Sequence, residues 1–218
     1  MKDDIYRNCA AAILAGGESL RMGEDKAYLA WEGKTFLEHI AGELGAFPVR
    51  FVSLGTERDS AEGAVRQMQE RQIPSGQVPA GHVPEGWTPV RDRYAGAGPM
   101  AGIAAVLEES SLPWVFVVSC DMPRMNPSVA EALWEKVSEG TDLVVPQAPD
   151  GRRHMTCALW NRSALPHLLR RLAEGDFRLY TLCGELHTAC VPVNDRIAAA
   201  VENVNTPEAY RRLKGTGD

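Results

Sequence analysis

Along the chain, polar and apolar positions sort into two alternating kinds of segment. One kind is a short, almost unbroken apolar run: "CAAAILA" at Cys9–Ala15, "VRFVSL" at Val49–Leu54, "WVFVVS" at Trp114–Ser119, "LVVP" at Leu143–Pro146, "MTCALW" at Met155–Trp160 and "ACVPV" at Ala189–Val193. Most lack the strict alternation of a half-exposed strand and all are too short for ordinary helices, so they predict strands buried on both faces, as in a parallel sheet. The other kind is amphipathic with readable helix signals. Thr35 and Glu38 form a capping box ahead of Phe36, Leu37, Ile40 and Leu44 on one face. Asn126-Pro127 precedes Val129, Leu133 and Val137, and Pro99 opens a segment carrying Met100, Ile103 and Leu107. Ser163 is read as the cap of "ALPHLLRRLAEG", which Gly175 stops. Thr206-Pro207 starts a last helix through Tyr210 and Leu213. Strands alternating with helices define an α/β protein with a mostly parallel sheet.

One segment breaks this rhythm. From Glu57 to Arg93 the chain is polar and aperiodic, with four prolines in "IPSGQVPAGHVPEGWTP". It is expected to be mobile, its outer part around Ile73–Gly86 a flap and Trp87 an anchor at its base. No internal repeat or linker is visible, so residues 1–218 read as one domain.

Composition narrows the function. A net charge of −6 argues against a broad footprint for a nucleic-acid polymer, while leaving room for a local anion pocket. No apolar run approaches the roughly 20 residues of a membrane span, and "MKDDIYRNC" lacks the layout of a secretory signal. Five cysteines without CxxC spacing read as structural thiols, and the cytoplasm is the expected compartment.

The stretch "LAGGESLRMGEDK" follows the first apolar run. Gly16 and Gly17 remove side chains where a backbone must approach phosphate oxygens, Arg21 can fork across two of them, and Lys26 supplies a mobile point charge. The pattern is neither GxxxxGK[ST] nor GxGxxG, so a P-loop NTPase or a dinucleotide-dependent dehydrogenase loses its support. Asp121 stands just beyond a buried strand, where open α/β sheets bind ligands, and a carboxylate there suits Mg2+ or simply makes a turn. Asn203 and Asn205 flank Val204 and face one way on an extended chain. They offer neutral oxygens to a hard cation or amides to phosphate, although Asn205 could equally begin the turn before Pro207. Asp92 precedes the Gly98-Pro99 turn. It either accepts hydrogen bonds from a ligand or pairs with Arg93 on the surface.

The loop residues Leu14, Ala15, Gly16, Gly17, Ser19, Arg21, Met22, Gly23, Asp25 and Lys26 match the pattern LAGGxSxRMGxDK, and on them the chain resembles the molybdenum cofactor guanylyltransferases. "GPMAG", "CDMP", "RRHMTCALW" and "NVNTPE" follow in the order of that family, and Glu57–Arg93 exceeds its counterpart in length. The resemblance implies a three-layer, Rossmann-like nucleotidyltransferase fold. It implies transfer of GMP from GTP to the terminal phosphate of molybdopterin, or its metal-loaded form, with release of pyrophosphate and with Mg2+ as cofactor. Arg21, Lys26 and Asp121 become catalytic, and Leu14, Ala15, Gly16, Gly17, Lys26, Asp92, Gly98, Pro99 and Asp121 bind the nucleotide. Asp121, Asn203 and Asn205 hold the metal, while Arg153, His154 and Arg178 face the acceptor. Cofactor-biosynthesis or molybdoenzyme-maturation proteins are the implied partners. The rival readings are a cytidylyltransferase or other small-acceptor transferase on the same fold, and a non-catalytic nucleotide-binding regulator.

Overall fold

The computed structural model describes residues 2–16, 26–56 and 83–215. Gly17, Arg21 and residues 57–82, which carry part of the expected phosphate loop and most of the expected flap, lie outside the described residues. The described helices are α1 (Lys2–Asn8), α2 (Phe36–Glu43), α3 (Pro99–Glu109), α4 (Pro127–Trp134), α5 (Leu165–Glu174), α6 (Asp195–Ala200) and α7 (Pro207–Gly215). The strands are β1 (Cys9–Leu14), β2 (Ala30–Trp31), β3 (Lys34–Thr35), β4 (Arg50–Ser53), β5 (Thr88–Val90), β6 (Trp114–Ser119), β7 (Leu143–Gln147), β8 (Cys157–Asn161) and β9 (Thr188–Pro192). Seven strands form one sheet in the order β5-β4-β1-β6-β8-β7-β9, and β2 pairs with β3 as a small hairpin. Only β8 runs against its neighbours in the main sheet.

The apolar runs are continuous because both faces are covered. Along β1, Cys9, Ala11 and Ile13 point into a core shared with α1, α2, α4 and α6, while Ala10, Ala12 and Leu14 point into one shared with α3 and α5. This makes the three-layer α/β architecture that the resemblance implies, around the mostly parallel sheet that the segment pattern predicts. The capping box of Thr35 and Glu38, the Asn126 cap, the Pro99 start and the left-handed stop at Gly175 (φ 73°) all stand as read.

Two readings need correction. Ser163 does not cap α5: Asn161 caps a short 3-10 turn before it, and the Ser163 hydroxyl donates to Asp142 instead. Residues 83–93 are not part of an aperiodic flap. Thr88–Val90 pairs in parallel with β4, while Trp87 is only 7% exposed in the core, the burial expected of an anchor at the segment's base. Pro89 hid this strand, since proline is tolerated on a sheet edge and β5 is an edge. Of the five free cysteines, Cys9 and Cys157 are buried, while Cys120, Cys183 and Cys190 are partly exposed. No helix among the described residues is long and apolar enough to cross a membrane.

Candidate active site

Six of the seven sheet strands end on the same edge, and the chain turns there are held by backbone hydrogen bonds. Ser53, the last residue of β4, receives the N–H groups of both Ala15 (2.8 Å) and Gly16 (2.9 Å), and the Leu14 carbonyl receives the N–H of Cys120 (3.0 Å). The start of the Gly-rich loop is thus pinned between the ends of β4 and β6. A Cβ on Gly16 would lie 2.1 Å from the nitrogen and 2.5 Å from the Cα of Gly55. The glycine therefore answers to a close approach of two backbones, and its N–H is engaged at Ser53. Gly102 is likewise confined, with its Cβ direction 2.6 Å from the Ser53 hydroxyl and 3.0 Å from Leu14.

Asp121 follows β6 by two residues, in a turn anchored by the buried Met122 and Met125. Its backbone carbonyl accepts from the N–H of Val204 (2.8 Å), which lays the Asn203–Asn205 segment beside it. Val204 itself packs with Leu29, Phe36 and Leu213 in a small third core. Leu29 closes the turn that begins at Lys26, through a hydrogen bond from its N–H to the Lys26 carbonyl. Four apolar side chains, each worth about 1.5–3 kcal/mol when fully buried, thereby fix the spacing of the polar ones. The result is a direct hydrogen bond from the Lys26 ammonium to the amide oxygen of Asn205. That oxygen accepts from the lysine and keeps a second lone pair, while Asn203 next to Val204 is exposed.

One carboxylate oxygen of Asp121 is buried and has no hydrogen-bond partner among the described residues. Leaving a buried acceptor unsatisfied costs about 1–3 kcal/mol, and more for a charged one. A hard cation beside it would meet that need. Among the described residues there is no cluster of three or more His, Cys, Asp or Glu able to hold a metal by themselves. The donor set thus suits an ion that takes one carboxylate, neutral oxygens and substrate phosphates.

On the far side of β1, Asp92 leaves the end of β5. Its N–H donates to the Gly55 carbonyl (2.9 Å), and its carboxylate accepts from the Ser53 hydroxyl (3.0 Å). Arg93 turns away to Glu108, 3.9 Å distant, so the surface pair with Asp92 does not form. Gly98 opens α3 with φ 59° and ψ −147°, a backbone region open essentially to glycine alone, and Pro99 takes the first helical position.

The residues expected to face the acceptor occupy the loop into β8 and the turn after α5. His154 donates its backbone N–H to Pro146 (3.0 Å), and burial, then the charge of Arg152, push its imidazole below the ordinary histidine value while Asp150 opposes them. Arg153 bridges to Gln147 across the loop. Arg178 grips Asp176 with both arms, at 2.7 and 2.9 Å, and holds that carboxyl far below its usual range. Arg171 holds Asp176 and Glu185 together, so this helix end is a linked ion-pair cluster rather than separate solvated charges. The 3-10 helix Leu179–Gly184 that follows brings Cys183 to 3.4 Å from Met155, which ties this turn to the loop into β8.

Sequence reasoning overlooked Ser53, Gly55 and Gly102. A glycine directly after a buried strand, in "SLGT", and the second glycine of "GPMAG" were the available signals.

A mostly parallel seven-stranded sheet with lysine, aspartate and asparagine gathered at its carboxyl edge is the arrangement of an α/β nucleotidyltransferase. A family model for the MobA-like NTP transferase domain matches residues 11–189, and the chain belongs to that family. Molybdenum cofactor guanylyltransferase of Vibrio vulnificus is 30% identical over 199 residues, 90% of each chain, and that of Vibrio campbellii is 30% identical over 200 residues, again 90% of each. The crystal structure of molybdopterin-guanine dinucleotide biosynthesis protein A from Archaeoglobus fulgidus superposes with a TM-score of 0.72 at 23% identity, covering 95% of this chain and 97% of that one.

Proposed function

We propose that the protein transfers GMP from GTP to the terminal phosphate of molybdopterin, forming molybdopterin guanine dinucleotide and pyrophosphate. The observation that carries this reading is the single hydrogen-bonded unit of Lys26, Asn205, Val204 and Asp121, with one Asp121 oxygen unpartnered among the described residues. An acceptor phosphate oxygen attacks the α-phosphorus of GTP. The new P–O bond forms as the bond from the α-phosphorus to the α,β-bridging oxygen breaks, and pyrophosphate leaves with the electron pair. The acceptor phosphate is already an anion, so no general base is needed, and catalysis is positioning plus charge neutralisation.

Lys26 supplies charge to the phosphates, and Asn205 holds its ammonium at the sheet edge. Arg21 joins it from the Gly-rich loop. Asp92, its carboxylate oriented by Ser53, accepts from the guanine edge, since a carboxylate can take more hydrogen bonds than the one from the hydroxyl. Asp121 with Asn203 and Asn205 would hold a divalent cation such as Mg2+. When bound, that ion supplies further neutralisation of the phosphate charge. Arg153, His154 and Arg178 face the acceptor, and His154 does so as a neutral imidazole at pH 7.

The test is pyrophosphate release from each of the four NTPs, with and without molybdopterin. Release from GTP that requires molybdopterin is expected. Preference for CTP would move the protein to the cytidylyl-transferring reading, and binding of GTP without release in any mixture would leave only a nucleotide-binding regulator.

A further inference from the structure

The proposed transfer draws on three stretches of chain that meet at the sheet edge. Lys26 opens the turn into the β2–β3 hairpin, Asp121 follows β6, and Asn203 and Asn205 flank Val204 ahead of α7. One guanidinium, to which the reaction assigns no role, touches all three. Arg124 stands three positions after Asp121, in a turn rooted by the buried side chains of Met122 and Met125. Its guanidinium carbon lies 6.0 Å from the centroid of the Trp31 ring on the hairpin. One of its nitrogens lies 3.6 Å from the carboxylate of Glu202, the residue before Asn203. Glu202 in turn faces Arg212 of α7 at 3.5 Å.

The ring that receives Arg124 is itself held. Trp31 packs on His39 of α2 with ring centroids 4.7 Å apart, and its carbonyl lies 2.6 Å from the His39 Nε2. Next to it, the Ala30 carbonyl accepts from the Tyr210 hydroxyl of α7. Taken singly, the Arg124 contacts are weak, because its side chain is 32% exposed and that of Glu202 is 48% exposed. Their weight comes from where they act. The Asp121 turn meets the Asn203–Asn205 strap through the backbone bond from Val204, and the strap meets Lys26 through Asn205. Arg124 braces both joints from outside. A planar guanidinium suits this task, since it can lie on a ring and turn its edge N–H groups to a carboxylate at once, whereas an ammonium is a single point charge.

We propose that Arg124 is a positioning residue that clasps the hairpin, the Asp121 turn and the Asn203–Asn205 strap together and so fixes the spacing of Lys26, Asp121 and Asn205. The clasp stands on the contacts alone, while its effect on catalysis rests on the proposed guanylyl transfer.

Amide hydrogen exchange, followed by NMR on the full chain, reads the clasp without any reaction. The Val204 N–H, bonded to the Asp121 carbonyl, should exchange about tenfold faster in Arg124→Met, the combined scale of one exposed ion pair and one cation–π contact. The amide of Val117, in the middle of β6, should exchange as in the wild type. Unchanged exchange at Val204, or equal acceleration at Val204 and Val117, would overturn the clasp. Glu202→Gln removes the ion pair and leaves the Trp31 contact, so it should give a smaller acceleration in the same direction. No acceleration there would overturn the ionic half of the clasp.

If the wild type transfers GMP, Arg124→Met should lower kcat about tenfold or more, the scale of losing a group that supports site ligands, with the KM for molybdopterin unchanged. Arg124→Lys keeps the charge without the flat fork and should recover only part of that loss. Arg211→Met breaks an exposed ion pair with Glu208 (2.9 Å) elsewhere on α7 and should change neither exchange at Val204 nor turnover. An unchanged kcat in a variant with faster Val204 exchange would overturn the positioning role. Absence of transfer in the wild type would overturn that role together with the proposed function, and the exchange result would still decide the clasp.

Discussion

Replacing Gly16 by alanine tests how the Gly-rich loop is built. The added Cβ would lie 2.1 Å from the Gly55 nitrogen, 2.5 Å from its Cα and 2.6 Å from the Leu54 carbonyl carbon. Carbon contacts settle near 3.5–4.0 Å, so the two backbones must part by more than about 1 Å. They cannot part without stretching the bonds from Ala15 and Gly16 to the Ser53 carbonyl. Overpacking costs about 1–3 kcal/mol and each of the two strained hydrogen bonds about 0.5–1.5 kcal/mol, for a total of about 2–6 kcal/mol. At about 2–4 °C per kcal/mol for a chain of this size, Tm should fall by about 4–24 °C. Gly42→Ala is the control, because it sits exposed in α2 with nothing within 4 Å of its Cβ direction. It should raise stability by about 0.5–1 kcal/mol through helix propensity. Thermal melts by circular dichroism, with turnover measured at a temperature where both variants are folded, decide the matter. A Gly16→Ala protein with wild-type Tm and turnover would refute the close-approach argument.

Lys26→Ala should lower turnover about 10²-fold or more, the scale of losing one preorganised electrostatic contact, and circular dichroism should show an intact fold. Asp121→Asn keeps shape and removes charge, so a magnesium titration of activity should shift to higher midpoint and lower maximum, while Tm should not fall. For His154, burial and Arg152 depress the pKa below 6.5. The unfolded chain therefore takes the proton first, and the stability this group contributes is present above about pH 6.5 and lost as pH falls through the folded value. NMR titration should place the His154 midpoint below 6.5, and Arg152→Ala should move it upward.

Six strands and most helix caps were legible because each depends on a few neighbouring residues. The run "WVFVVS" became β6 at the same limits, and Thr35 with Glu38 closed the capping box as its spacing dictates. Elements that depend on distant partners were not legible. β5 is three residues containing a proline and exists because β4 lies beside it, and the β2–β3 hairpin is two residues a side. Within the site, residue types pointed to anion and metal chemistry, and the loop order pointed to the family. What no local pattern reveals is the wiring: the pairing of Lys26 with Asn205, 179 positions apart, or of Ser53 with Asp92. Those contacts arise from the packing of Leu29 on Val204 and of β4 on β5.

The central claim is that the α-phosphoryl group of GTP moves to the acceptor. Parallel reactions with GTP labelled at the α- or the γ-phosphate, each with molybdopterin and Mg2+, test it most directly. The account predicts α-label in a pterin-containing dinucleotide and γ-label in pyrophosphate, in equal amounts. Gamma-label released as inorganic phosphate, or α-label remaining in free guanine nucleotides after molybdopterin is supplied, would contradict it.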